Sequence, residues 1–223
     1  MPRQRIPELM DDPAIDPVEH RAALEGLARI NRISRSAGIL WPAVKALART
    51  NPGRTLRVLD VATGSGDVPL GLLQRAKRAG VALEIHACDI SPTAIALAAP
   101  ELHAFPHDVI RDPLPAGFDV VTCSLFLHHL SDEDAVTVLG RMKVAAPLVL
   151  VNDLSRSRLG FAAAWVGCRV LTRSKVVRFD GPASVRSAFT PAEALVLAER
   201  AGLKGATVGR RWPFRFLLEW RKV

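Results

Sequence analysis

The polar and apolar positions of the 223-residue chain change period along its length, and those changes divide it into elements. Residues 57–61 (RVLDV), 84–89 (EIHACD), 102–106 (LHAFP), 118–124 (FDVVTCS) and 146–153 (APLVLVND) are short apolar runs that suit buried parallel strands. Helical segments lie between them. One runs over 68–79, and others open on Ser91 with Pro92, on Ser131 with Asp134, and on Thr190 with Pro191 and Glu193, each a start signal. Near the N-terminus, residues 1–15 read as an irregular arm with one short turn around Pro7 to Met10. Asp16, Pro17 and Glu19 then open a helix to about Ile33, on which His20, Leu24, Leu27 and Asn31 share one face. A second helix over roughly 38–49 precedes the linker Asn51-Pro52-Gly53, and residues 203–208 and 214–220 read as two closing strands.

Seven strands alternating with helices predict an α/β fold with a doubly wound, mostly parallel seven-stranded sheet. The length suits one domain: an N-terminal helical cap over 1–53, a core over 54–154, an insertion over 155–189, and a final helix and strands over 190–223. The insertion is longer than the fold requires. Within it GFAAAWVGCRVLT, residues 160–172, places Phe161, Trp165, Cys168 and Leu171 on one helical face, while Ala163, Val166 and Val170 leave much of the rest apolar. Such a helix is buried or touches an apolar ligand, and it falls short of the ~20 residues that span a bilayer. We read 155–189 as a helical lid after strand five, with Phe161, Trp165 and Arg169 as its substrate contacts.

The chemistry concentrates at the strand ends. Val58 to Asp67 (VLDVATGSGD) reads as strand, glycine turn, helix start, the arrangement in which a ligand meets backbone N–H groups. A dinucleotide site needs G-x-G-x-x-G, but here Gly64 and Gly66 are followed by Pro69. Asp60 and Asp67 would also repel a pyrophosphate, whereas they suit a ligand carrying an ammonium and a sulfonium. Asp89 ends the second strand, where a carboxylate can accept both ribose hydroxyls, and Asp108 follows the third.

These residues carry a resemblance. The run DVATGSGD, Asp60 to Asp67, resembles the first motif of class I S-adenosylmethionine-dependent methyltransferases, with Ala62 where glycine is usual. The resemblance implies S-adenosylmethionine as cofactor, held by Asp60, Ala62, Thr63, Gly64, Gly66, Asp89, Ile90, Asp108, Val109 and Ser124, and a sheet closed by an antiparallel last strand. LHHL, Leu127 to Leu130, is similar to a sequence that recurs after the fourth strand in this family, so His128 or His129 is the candidate catalytic base. The whole chain also resembles small bacterial methyltransferases encoded near type III polyketide synthases, on ELMDDP (Glu8 to Pro13), Arg29 to Asn31, and FDGP (Phe179 to Pro182). That implies O-methylation of a lipophilic phenolic or polyketide-type acceptor. His20, Asn31 and Asp153 join the lid residues as acceptor contacts, and Arg29, Arg32 or Arg35 could take the methionine carboxylate.

Composition tests these readings. The net charge of +8 is uneven: residues 155–223 hold 14 basic against 4 acidic side chains, and the rest holds 16 against 18. A basic tail keeps RNA methylation as the alternative, beside a non-catalytic S-adenosylmethionine-binding protein. The asparagine-proline-proline-aromatic motif of base methylation is absent, and four Trp with no Tyr offer few stacking surfaces, so no specific nucleic-acid binding is expected. Cys88, Cys123 and Cys168 show no C-x-x-C spacing, so they suggest neither a zinc site nor a disulfide framework, and no metal is expected. With no signal-peptide core and no membrane-length apolar run, the sequence reads as cytoplasmic.

Overall fold

The computed structural model describes residues 1–12 and 14–222, so Pro13, the last residue of the ELMDDP motif, lies outside the described residues. Its strands are β1 (Leu56–Val61), β2 (Leu83–Asp89), β3 (Leu102–Pro106), β4 (Val120–Ser124), β5 (Leu148–Leu154), β6 (Thr207–Arg211) and β7 (Arg215–Arg221). They form one sheet in the order β3-β2-β1-β4-β5-β7-β6. β1 to β5 pair in parallel, and β7 runs antiparallel between β5 and β6, as the resemblance implied. Six of the seven β5 residues are buried because helices cover both faces of the sheet, which is why the strand reads as a continuous apolar run.

On one face, α2 (Ser36–Arg49) and α3 (Asp67–Arg78) pack Leu40, Val44 and Leu72 against Val58, Val120 and Leu150. On the other, α5 (Asp132–Ala145) and α8 (Pro191–Arg200) set Leu139, Met142 and Leu197 against Val121, Val149 and Phe216. The start signals act as read: Asp16 caps α1 (Pro17–Ile33), Ser91 caps α4 (Pro92–Leu97), Ser131 caps α5, and Thr190 with Glu193 closes a capping box on α8. Each cap contributes about 1 kcal/mol. From β1 the chain winds out to β3 and returns as β4 on the other side of β1. The sheet therefore reverses order between β1 and β4, and the crevice opens at their carboxyl ends.

Three elements differ from the pattern reading. β6 begins at Thr207 rather than Leu203, because Gly202 takes φ +78 after α8, Leu203 N donates to Ala198 O, and the Leu203 side chain turns fully into the core. α2 starts two residues early, at Ser36, behind Arg35 at φ 56. The insertion holds two helices, α6 (Arg158–Leu171) and α7 (Lys175–Ser187), where the pattern marked only the first, and α7 runs on through Gly181 and Pro182. Packing overrides the propensity there: α6 comes so close that a Cβ on Gly181 would lie 2.3 Å from Cys168 Sγ.

The N-terminal arm is strapped over α7. Gln4 N donates to Arg186 O at 3.1 Å, and the Arg3 guanidinium donates to Ser187 O and Leu130 O, both at 2.7 Å. The Asp180 carboxylate accepts from Leu9 N at 2.8 Å and Met10 N at 3.2 Å. Among the described residues no helix is long and apolar enough to cross a membrane.

Candidate active site

A cavity of about 1000 Å³ occupies the crevice, with its floor at the carboxyl ends of the parallel strands and its walls from α1, α6, α7 and the arm. At its centre the Asp60 carboxylate is fully buried and accepts from Thr63 Oγ1 at 2.7 Å and Thr122 Oγ1 at 2.5 Å. Burial pushes its pKa up to about 7, against those two hydrogen bonds. Next along the turn, Ala62 adopts φ 52, so the position where the family's motif has glycine is left-handed here too. Gly66, at φ +75, lies so close to β3 that a Cβ would meet Leu102 Cδ1 at 2.6 Å.

Asp89 braces the turn: its two oxygens accept Gly64 N at 2.8 Å and Ser91 N at 2.9 Å. The Asp108 carboxylate accepts Ile110 N and Arg111 N at 2.9 and 3.0 Å. Asp60, Ala62, Thr63, Gly64, Asp89, Ile90, Asp108, Val109 and Ser124 all line the cavity, so sequence reading had gathered one contiguous wall; Gly66 supports it from behind. Beside that wall lie unpaired buried polar atoms. Among the described residues these are His107 Nε2, Ser124 Oγ and both amide atoms of Asn152, at the carboxyl ends of β3, β4 and β5. Buried polar groups ordinarily have partners, and a polar ligand in this crevice can supply them for His107 and Ser124, which line it.

Three arginines proposed from sequence stand elsewhere. Arg29, Arg32 and Arg35 are exposed and none lines the cavity; Arg29 donates instead to Leu171 O at 3.0 Å. The cation that does line it is Arg215, at the start of β7, which sequence reading missed. It is 3% exposed and donates to Ser34 Oγ at 2.8 Å, Asn31 Oδ1 at 3.2 Å and Ser36 Oγ. Burial draws its pKa down to about 10, against the charges of Asp153 and Asp67. A charged residue directly before the apolar run Phe216-Leu217-Leu218 is the one local signal it leaves. Asn31 thus positions Arg215, while His20 lies on the cavity wall as expected.

Four further acceptor contacts need correction. Asp153 does not line the cavity: it lies behind His128, with Oδ1 2.6 Å from His128 Nδ1 and Oδ2 accepting His128 N at 3.1 Å. Phe161, Trp165 and Arg169 line a separate outer groove with Ile6 and Phe179. Arg169 lies over the Trp165 ring at 3.8 Å and Arg186 over Phe161 at 4.9 Å. The reason is the phase of α6. Its cavity face is the small-residue side, Gly160, Ala163, Ala164 and Gly167 with Leu171, and the large side chains fall on the other side.

His128 and His129 occupy a tight turn (Leu127–His129) entered through Leu125 at φ 58, a second left-handed residue on the cavity wall. The His128 imidazole is buried; burial would lower its pKa, but Asp153 and Glu8 outweigh that and raise it to about 10. It is accordingly no free base at neutral pH. His129 Nδ1 lies 2.7 Å from Asp11 Oδ2. Both rings turn Nε2 toward Glu8, which is buried and bonded by Ser184 Oγ. Glu8 was not foreseen, because an acid in an irregular arm carries no periodic signal.

Residues 58–146 match a family model described as a methyltransferase domain. Comparison with curated proteins finds no match. Among solved structures, the plantazolicin methyltransferase BpumL, solved with a monoazolic desmethylPZN analog and SAH, is similar at TM-score 0.64 and 13% identity, over 92% of this chain and 91% of that one. An S-adenosylmethionine-dependent methyltransferase from Aquifex aeolicus is similar at TM-score 0.58 and 18% identity, over 94% and 100%. NcsB1, an O-methyltransferase from neocarzinostatin biosynthesis in complex with S-adenosyl-L-homocysteine and 1,4-dihydroxy-2-naphthoic acid, aligns at TM-score 0.63 and 19% identity, over 93% of this chain and 59% of its own. The chain likewise spans only half of PigF. At these identities the likeness is one of fold.

Proposed function

We propose, from the premise that the chain is an S-adenosylmethionine-dependent methyltransferase, that it methylates a hydroxyl of a small lipophilic phenolic acceptor. The observation that carries the reading is a single cavity with two chemistries. One wall is the turn braced by Asp60 and Asp89, beside the unpaired atoms of His107 and Ser124; the other is apolar, with Leu24, Leu27, Ile30, Ala164, Leu171 and Val185. The naphthoic acid held by NcsB1 supports an aromatic acceptor by analogy of fold. An acceptor made by a type III polyketide synthase remains the narrower form of the same proposal.

When bound, S-adenosylmethionine supplies an electrophilic methyl group. The chain's own residues do the rest. Asp60 and Asp67 favour the ligand's positive charges, Asp89 accepts from the ribose, Asp108 stands at the adenine edge, and Arg215 pairs with the methionine carboxylate. α1, α6 and α7 enclose the acceptor and exclude water, so most of the acceleration comes from alignment. Loss of the hydroxyl proton is assigned to the cluster of Glu8, His128 and His129, whose members line the same cavity. The arm and the lid helices therefore belong to the acceptor side.

The test is calorimetry with S-adenosyl-L-homocysteine and NAD, followed by mass spectrometry of methyl transfer to a panel of phenols. Binding of the former, methylated phenols, and a loss of about 10²- to 10⁴-fold in turnover on His129→Ala are the expected results. Binding of NAD alone would sink the cofactor assignment. Methylation of RNA with all phenols inert would replace the acceptor class.

A further inference from the structure

The cluster on the acceptor side has a geometry that acid–base chemistry does not need. Both histidines are pinned at Nδ1 by a carboxylate, His128 by Asp153 at 2.6 Å and His129 by Asp11 at 2.7 Å. Both Nε2 atoms then converge on one carboxylate, His128 on Glu8 Oε1 at 3.4 Å and His129 on Glu8 Oε2 at 3.8 Å. The first approach is long for a hydrogen bond and the second lies beyond one, and one donor atom from each of the three residues lies within 4.8 Å of the others. From these side chains we infer a divalent metal site of the two-histidine, one-carboxylate type, with Glu8, His128 and His129 as ligands and its open position toward the acceptor cavity.

Three observations support this. Bond lengths of about 2.0–2.2 Å to nitrogen and oxygen place two ligands of a tetrahedral zinc ion roughly 3.3–3.5 Å apart. The His128–Glu8 separation of 3.4 Å falls inside that range, and the His129–Glu8 separation of 3.8 Å is a few tenths beyond it. A carboxylate on the far nitrogen is the partner that metal-bound histidines ordinarily have, since it fixes the tautomer and leaves Nε2 as the donor. Here both rings have one.

Charge is the third. Glu8 and Asp153 are buried, and Asp11 and Asp180 stand beside them, yet no Lys or Arg among the described residues bonds to Glu8. A divalent cation would offset Glu8 in place of the imidazolium proton of His128. Glu8, Asp11, His128 and His129 all line the cavity, so a fourth ligand can come from there. Cysteine spacing said nothing of this site because its donors are imidazoles and one carboxylate, brought together from residues 8 and 128–129. The consequence for turnover, a hydroxyl ionised against the metal, rests on the proposed methyl transfer; metal binding itself does not.

The experiment uses the full chain stripped with chelator and titrated with Zn²⁺ by calorimetry, then with Co²⁺ to read ligand-field bands of a tetrahedral nitrogen–oxygen site. One equivalent should bind. Glu8→Gln and His129→Ala should each weaken uptake at least ~100-fold, and Asp11→Asn, which touches the metal only through His129, about 10- to 100-fold. Circular dichroism and S-adenosyl-L-homocysteine affinity are measured on the same preparations to establish that each variant is folded. No uptake by a protein that still binds S-adenosyl-L-homocysteine overturns the metal site, leaves the methyltransferase reading standing, and returns the cluster to a buried imidazolium held by Asp153 and Glu8. Uptake that survives both ligand substitutions also overturns it.

Discussion

Arg215 gives the sharpest test of how the cavity holds its cofactor. Its two terminal nitrogens already donate to Ser34, Ser36 and Asn31, which leaves two of the five guanidinium N–H groups for a ligand. A charged hydrogen bond to a carboxylate contributes about 1.5–3 kcal/mol, so its loss should weaken binding roughly 10- to 150-fold. We predict that range for S-adenosyl-L-homocysteine on Arg215→Met, with a smaller loss on Arg215→Lys, which keeps the charge without the fork. The control is 5′-methylthioadenosine, which lacks the methionine carboxylate and should lose almost nothing. Both ligands are measured by calorimetry. Because the substitution also strips a donor from three buried acceptors, thermal melting should show a lower Tm in either variant. Equal losses for both ligands would mean that the site has merely collapsed, and no loss for either would remove Arg215 from cofactor binding; either result refutes the assignment.

Other predictions concern protons, lid and packing. Asp60, with its pKa raised to about 7, binds a proton in the folded state that it has lost in the unfolded state between pH 4 and 7. That contribution to stability is present at low pH and fades as pH rises toward 7, while affinity for the positively charged cofactor strengthens through the same pH. Melts and calorimetry from pH 5.5 to 8.5 should show both trends, and Asp60→Asn should flatten them. On the lid, Gly167→Phe should raise KM for the acceptor at constant S-adenosyl-L-homocysteine affinity, because Gly167 lines the cavity and a Cβ there meets nothing within 4 Å. Trp165→Ala should leave that KM within about twofold, since its ring lies in the outer groove, and a large change would restore Trp165 to the acceptor site. Gly181→Ala should lower stability by about 1–3 kcal/mol in urea unfolding, as its Cβ would sit 2.3 Å from Cys168 Sγ; an unchanged midpoint would mean that α6 and α7 are looser than described.

What could be read from the sequence was what is encoded over a few neighbouring residues. The strand and turn at Asp60 to Gly66, the acids ending β2 and β3, and the caps of α1, α4, α5 and α8 are each set by local spacing, and the residues of the turn and strand ends line one side of the cavity. The outer half of the site depends on partners far away in the chain. Arg215 meets Ser36 across 179 residues, and Glu8 meets Ser184 across 176. No period links such positions. The phase of α6 was misread for a related reason. Its large side chains look like an inward face until the close approach at Gly181 fixes which side the neighbouring helix takes.

The strapped arm also bears on timing. In synthesis Arg3 and Glu8 leave the ribosome well before their anchors at Ser187 and Ser184, which come some 180 positions later. The glycine turn and the five parallel strands can therefore be in place while Arg215 and the opposite wall are still missing. The acceptor wall is complete only once the arm docks on α7, and firm cofactor capture in turn waits for Arg215 on β7.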